Sequence, residues 1–181
     1  MRFIRLCVAL VAIAGGAFAR PSMAAAQCTA SGAPASCNLP GSVSMTPPRI
    51  VMVQVSAAST ALTPPTPAAF DAGFNSTTGP SLTVSANAPW TLSVRASAAL
   101  WTATNTSPGA PARITKPAAD LKWSTTSNGA FNALTTTDAL LVSGSATASS
   151  ATTLYFQTVY GWTLDTPGNY SLAVILTLTS P

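Results

Sequence analysis

Apolar and polar side chains alternate one by one through WTLSVRA, placing Trp90, Leu92, Val94 and Ala96 on one face and Thr91, Ser93 and Arg95 on the other. Successive side chains of a strand point to opposite faces, so this period of two predicts a half-buried strand. SLTVSA just upstream repeats the pattern with Leu82, Val84 and Ala86, and ANAP between them supplies a turn. LKWS sets Leu121 and Trp123 inward, and ALLVSG, LYFQTVYGW and NYSLAVILTLTS are three more strand candidates, separated by SATASSA and DTPG. Ordered structure is expected to begin at residues 49–57, RIVMVQVSA, a β-branched run after the breaker Pro47-Pro48. TALTPPTPAAFDAG, with Pro64, Pro65 and Pro67, predicts a loop or an interrupted edge strand, and residues 101–117 read as loop by composition. No stretch carries a capped apolar repeat of helical period. About seven or eight short strands with turn signals between them predict an all-β fold, an antiparallel immunoglobulin-like sandwich or a related Greek-key barrel. In either, the tryptophans are expected to be mostly core.

The N-terminus changes how charge is counted. Arg2 and Arg5 precede the apolar stretch 6–14, and Ala24-Ala25-Ala26 offers a small-residue cleavage site, so residues 1–26 read as an export signal. Gly15-Gly16 and Arg20 interrupt the apolar run well short of the roughly 20 residues of a spanning helix, so no membrane span is expected after signal removal. Three basic residues leave with the signal. The remaining 155 residues (181 minus 26) carry five basic and four acidic side chains, a net of +1. No basic cluster is left to follow a phosphate backbone, which argues against a nucleic-acid partner. Only 7% of the chain is charged, against about a quarter in ordinary domains. A surface of Ser, Thr, Ala and amides at near-zero net charge favours association.

Candidate chemistry is sparse. Cys28 and Cys37, in CTASGAPASC, suit a structural disulfide stapling an irregular leader over residues 27–48, ahead of a sandwich domain over residues 49–181. The mature chain has no His, no Glu and four scattered Asp, so no catalytic triad, acid–base pair or zinc set can be assembled from it, and no cofactor or metal is expected. The inventory describes a non-enzymatic protein, periplasmic, at the cell surface or extracellular. Its partners are expected to be itself or other envelope proteins, with cell-wall glycan as the alternative.

Three segments carry a resemblance. FDAG at residues 70–73, SLTVSANAPWTLSV after it, and the closing PGNYSLAVILTLT resemble the pilin-like subunits of bacterial fimbriae, in particular the spore coat protein U group of archaic chaperone-usher pili. Gly168 is also the fourteenth residue from the end, where fimbrial subunits commonly have glycine. This chain differs in keeping both cysteines in the leader and in placing Ser180 where the penultimate aromatic usually stands. The resemblance implies a pilin-like sandwich in which a strand from a chaperone, then from a neighbour, lies beside the last strand. Tyr170, Leu172, Val174, Leu176 and Leu178 would border that groove. Ile50, Val51, Met52, Val53 and Val55 form either the added strand or the domain's own first strand. A second resemblance, the repeated Trp90-Thr91-Leu92 and Trp162-Thr163-Leu164, is to the paired motif of WxL domains that attach to bacterial cell wall. It implies attachment to cell wall, and the alternative function is a wall- or glycan-binding module using Trp101 or Trp162 as a stacking platform.

Overall fold

The computed structural model describes residues 28–39, 41–106 and 111–181; the export signal expected at residues 1–26 therefore lies outside the described residues. By its contacts the chain divides into two units, Met1–Thr46 and Pro47–Pro181. In the first, Cys28 and Cys37 are joined by a disulfide with Cα atoms 5.8 Å apart. Its described residues form no helix or strand, and Leu39, Val43 and Met45 are exposed, Val43 fully.

The second unit is an antiparallel β-sandwich. One sheet contains β1 (Val51–Val55), β2 (Phe74–Ala86), β8 (Thr147–Val159), β5 (Leu121–Ser124) and β6 (Asn132–Ala133), hydrogen-bonded in that spatial order. The opposing sheet has the order β10 (Val174–Thr179), β3 (Trp90–Ala96), β7 (Ala139–Gly144), while β4 (Thr102–Asn105) pairs with β9 (Gly168–Ser171). β3 shows the burial its alternation predicts, with Trp90, Leu92, Val94 and Ala96 all buried. These side chains meet Leu82 and Val84 of β2, Leu121 and Trp123 of β5, Leu141 of β7, and Leu154 and Phe156 of β8 in one core between the sheets.

Ten strands rather than seven or eight result because β4 and β6 form where no strand was expected and the closing segment is divided into β9 and β10. SATASSA opens the long β8, since its polar side chains pair along β2 from Ala86↔Thr147 onward. Residues 102–105, expected as loop, form β4 against Ser171 to Gly168. The closing segment, read as one strand, is broken at Leu172-Ala173: β9 pairs with β4, and β10 pairs with β3 from Val174↔Ala96 to Thr179↔Thr91. The proline-rich stretch contains a short helix, α1 (Pro67–Ala72), rather than only loop. Thr66 caps it by accepting from the Ala69 amide, Pro67 occupies the first turn where no N–H is needed, and Gly73 closes it at φ 79°.

Gly79 sits where the β2–β8 register shifts, between Thr78 and Ser81. A Cβ there would stand 2.7 Å from both the Leu154 carbonyl oxygen and the buried Phe156 ring. Gly79→Ala is therefore expected to destabilise the domain by about 1–3 kcal/mol, the usual cost of overpacking, read as a lower denaturation midpoint at unchanged slope. An unchanged midpoint would show that the ring moves aside freely.

Candidate functional site

Along one side the edge strands of the two sheets approach each other without a hydrogen-bonded ladder between them. β10 ends its sheet and β1 ends the other, so each has an outer edge paired with no described strand. Every β10 residue from Val174 to Leu178 is only half-buried, whereas the core face of its neighbour β3 is sealed. Leu172, Val174, Leu176 and Leu178 pack against the core from this side, as do Val51, Val53 and Tyr170. The gap is an apolar groove of about 420 Å³, lined among others by Val55, Leu62, Trp101, Leu172, Val174 and Leu176. Unpaired backbone along such an edge is a template for another strand.

Beside the groove is a second cavity of about 710 Å³, which shares Leu62, Trp101 and Tyr170 with it as lining and adds Pro64, Phe70, Tyr160 and Trp162. Phe70, from α1, stacks on Trp162 with ring centroids 4.7 Å apart and lies 5.5 Å from Tyr160. The Trp162 indole N–H donates to Asp71 Oδ1 at 3.0 Å, which fixes the ring's orientation. These aromatics form a partly open box beside the apolar groove.

The floor of the box is ionic. Lys116 is 2% exposed, and its Nζ donates to Asp165 Oδ1 at 2.8 Å, to Asp120 Oδ2 at 3.2 Å and to the Val159 carbonyl at 2.8 Å. Arg113 Nη1 reaches the same two carboxylate oxygens at 3.1 and 3.2 Å, and Asp165 Oδ2 accepts from the Gly161 amide. Burial pushes the Asp165 carboxyl up, but the hydrogen bond and charge of Lys116, the Gly161 amide and Arg113 together outweigh it and hold the group below its ordinary 3.8. Burial, partly offset by the Thr158 hydroxyl and reinforced by the Asp165 charge, raises the Tyr160 phenol above its ordinary value. Tyr170 ties the wall to this floor by accepting from the Arg113 amide and donating to the Thr166 carbonyl. Two cations and two anions are mutually compensated, so the cluster acts as a clamp between residues 113–120 and 160–166.

The expected assembly residues divide between the two edges. β1 is antiparallel to β2 from Val51↔Ala86 to Val55↔Leu82, so Val51, Met52, Val53 and Val55 are all in the domain's own sheet, Val51 and Val53 packed on the core and Met52 and Val55 exposed. Ile50 lies just before the strand and is exposed. Tyr170 belongs to β9, and Val174, Leu176 and Leu178 belong to β10, with Leu172 at the break between them.

One glycan-stacking candidate is corrected. Trp101 is only 5% exposed, and its N–H is engaged by the Pro117 carbonyl, so neither ring face is free to stack on a sugar. Trp162 is 61% exposed. Sequence reasoning missed the Arg113–Lys116–Asp120–Asp165 clamp altogether. Its one local signal was the i,i+4 spacing of Lys116 and Asp120. Among the described residues no group of His, Cys, Asp and Glu could hold a metal ion, and no helix is long and apolar enough to cross a membrane. The chain matches no protein-family model and no curated protein.

Proposed function

We propose that this is an exported, non-enzymatic structural protein that assembles by β-strand addition, in the manner of a fimbria-like subunit. The incoming strand is residues 39–46 of a second copy. The carrying observation is the groove beside β10, where an unpaired edge and half-buried apolar side chains lie together. A strand entering there would gain main-chain hydrogen bonds along β10 and bury alternate side chains. LPGSVSMT supplies that alternation: Leu39, Gly41, Val43 and Met45 fall on one face, and Pro40, Ser42, Ser44 and Thr46 on the other. The three large apolar side chains of this set are exposed, at 53%, 101% and 84%. Residues 49–57, the other donor considered, are less suitable because β1 would have to leave β2. Export accords with the Cys28–Cys37 disulfide, a bond that persists in oxidising compartments. A non-enzymatic role accords with Asp120 and Asp165 being committed to ion pairs.

The test is the mass distribution of residues 27–181 over a concentration series, by light scattering after gel filtration, with electron micrographs of the same fractions. Head-to-tail strand addition is a heterologous contact, which gives open-ended oligomers or filaments unless the rotation between copies closes a ring, so concentration-dependent oligomers are expected. A monomer at high concentration would overturn the proposal and favour the rival reading, a wall-glycan module, which retains Trp162 as an exposed platform.

A further inference from the structure

We infer that the aromatic box of Phe70, Tyr160 and Trp162 is the docking site for Pro47-Pro48 of the incoming copy. This rests on the strand-addition reading and extends it to a second, chemically different contact. The groove has two neighbouring parts: an apolar side along residues 172–176, which is strand only from Val174, and an aromatic cavity that shares Leu62, Trp101 and Tyr170 as lining. The donor also has two parts in sequence, the alternating residues 39–46 followed at once by two prolines.

Direction and register connect the two. Directly opposed antiparallel residues share a face, so Val43 facing Val174 puts Met45 opposite Leu172 and Gly41 opposite Leu176. The same register carries Pro47 to the level of Tyr170, which lines both cavities. Proline has no N–H to give to a ladder, so the donor's pairing is bounded by Pro40 on one side and by Pro47 on the other. The bound at Pro47 falls at Tyr170, where the aromatic cavity adjoins the groove. A Pro-Pro unit is already constrained towards the polyproline II conformation, and aromatic-lined grooves bind that conformation at low entropic cost. Pro47 and Pro48 are exposed in their own chain, where the Pro48 carbonyl accepts from the Asn87 side chain and the pyrrolidine rings are left to make a contact. A parallel donor would instead bring the residues before Leu39, those of the Cys28–Cys37 loop, to the box.

The experiment uses the chain of residues 27–181 carrying Val43→Asp, whose own donor segment is disabled while its groove is untouched. A labelled peptide of residues 38–49 is titrated into it and binding is read by fluorescence anisotropy, alongside a peptide with both prolines replaced by alanine. The same pair is titrated into the chain that also carries Trp162→Ala. The native peptide is expected to bind at least tenfold more tightly than the alanine peptide, and Trp162→Ala is expected to erase that difference. Equal binding of the two peptides to the intact box would overturn the docking of Pro47-Pro48 while leaving strand addition in place. Binding of neither peptide would overturn strand addition itself, and the box assignment with it.

Discussion

Lys116→Met is expected to destabilise the domain by about 3–5 kcal/mol, the cost of breaking a buried ion pair and leaving charge uncompensated. Lys116 Nζ contacts two carboxylates and one carbonyl at once, so its removal leaves Asp120 and Asp165 dependent on Arg113 alone. Asp165 is the more vulnerable of the two, its side chain being 7% exposed against 18% for Asp120. Methionine fills a similar volume, so the loss would come from electrostatics and hydrogen bonding rather than from a cavity. The pH dependence separates these causes. Because the folded carboxyl of Asp165 is held below 3.8, its contribution is present above that value and is lost as pH falls through the lower folded value. Wild-type stability should therefore decline in acid below about pH 4. In Lys116→Met the main lowering influence is gone and burial still pushes the carboxyl up, so the acid decline should flatten. Chemical denaturation at a series of pH values from 3 to 7 measures both effects. An unchanged acid slope in the variant would mean that Lys116 does not set the ionisation of Asp165.

That clamp was invisible in the sequence for a physical reason. Asp165 lies 49 residues from Lys116 and 52 from Arg113, and only the fold brings them together. The strands with one face in the core were legible residue by residue, because the period of two in Trp90, Leu92, Val94 and Ala96 is a direct consequence of the sandwich. The start of β8 was not, since TASSA carries no large apolar side chain and is held as strand by its ladder to β2. α1 had its signals in place, with Thr66, Pro67 and Gly73 at the positions that start and stop helices, but six residues are too few to show a helical period. The break at Leu172-Ala173 follows from partners rather than from residues. β3 and β4 are separated by residues 97–101, and the closing chain meets each in turn, with the Ser97 amide bonded to the Ala173 carbonyl at the junction. A groove beside the closing strand was expected only from the resemblance to fimbrial subunits. A final strand apolar on nearly both sides asks for cover on its second edge, and the half-exposure of Val174, Leu176 and Leu178 shows that the domain leaves that cover incomplete.

Val43→Asp and Val53→Asp, ten residues apart and chemically identical, are expected to fail in opposite ways. Val43 is fully exposed in a segment without helix or strand, so a charge there should change the unfolding free energy by no more than about 0.5 kcal/mol. On the donor face, however, the carboxylate would have to enter an apolar groove beside Leu172 and Val174 with no cation among its lining residues, and the desolvation cost opposes association. The variant should remain folded and run as a monomer at concentrations where the parent chain forms oligomers. Val53 faces Val84 across the β1–β2 ladder and packs against the core, so an aspartate there places its charge between the sheets. That variant should unfold at markedly lower denaturant, or fail to fold. Light scattering together with a denaturation midpoint for each variant distinguishes the two behaviours. If Val43→Asp still assembles, residues 39–46 are not the donor. If Val53→Asp is as stable as the parent, β1 is dispensable to its own sheet, and residues 49–57 regain their standing as the strand that one subunit lends to the next.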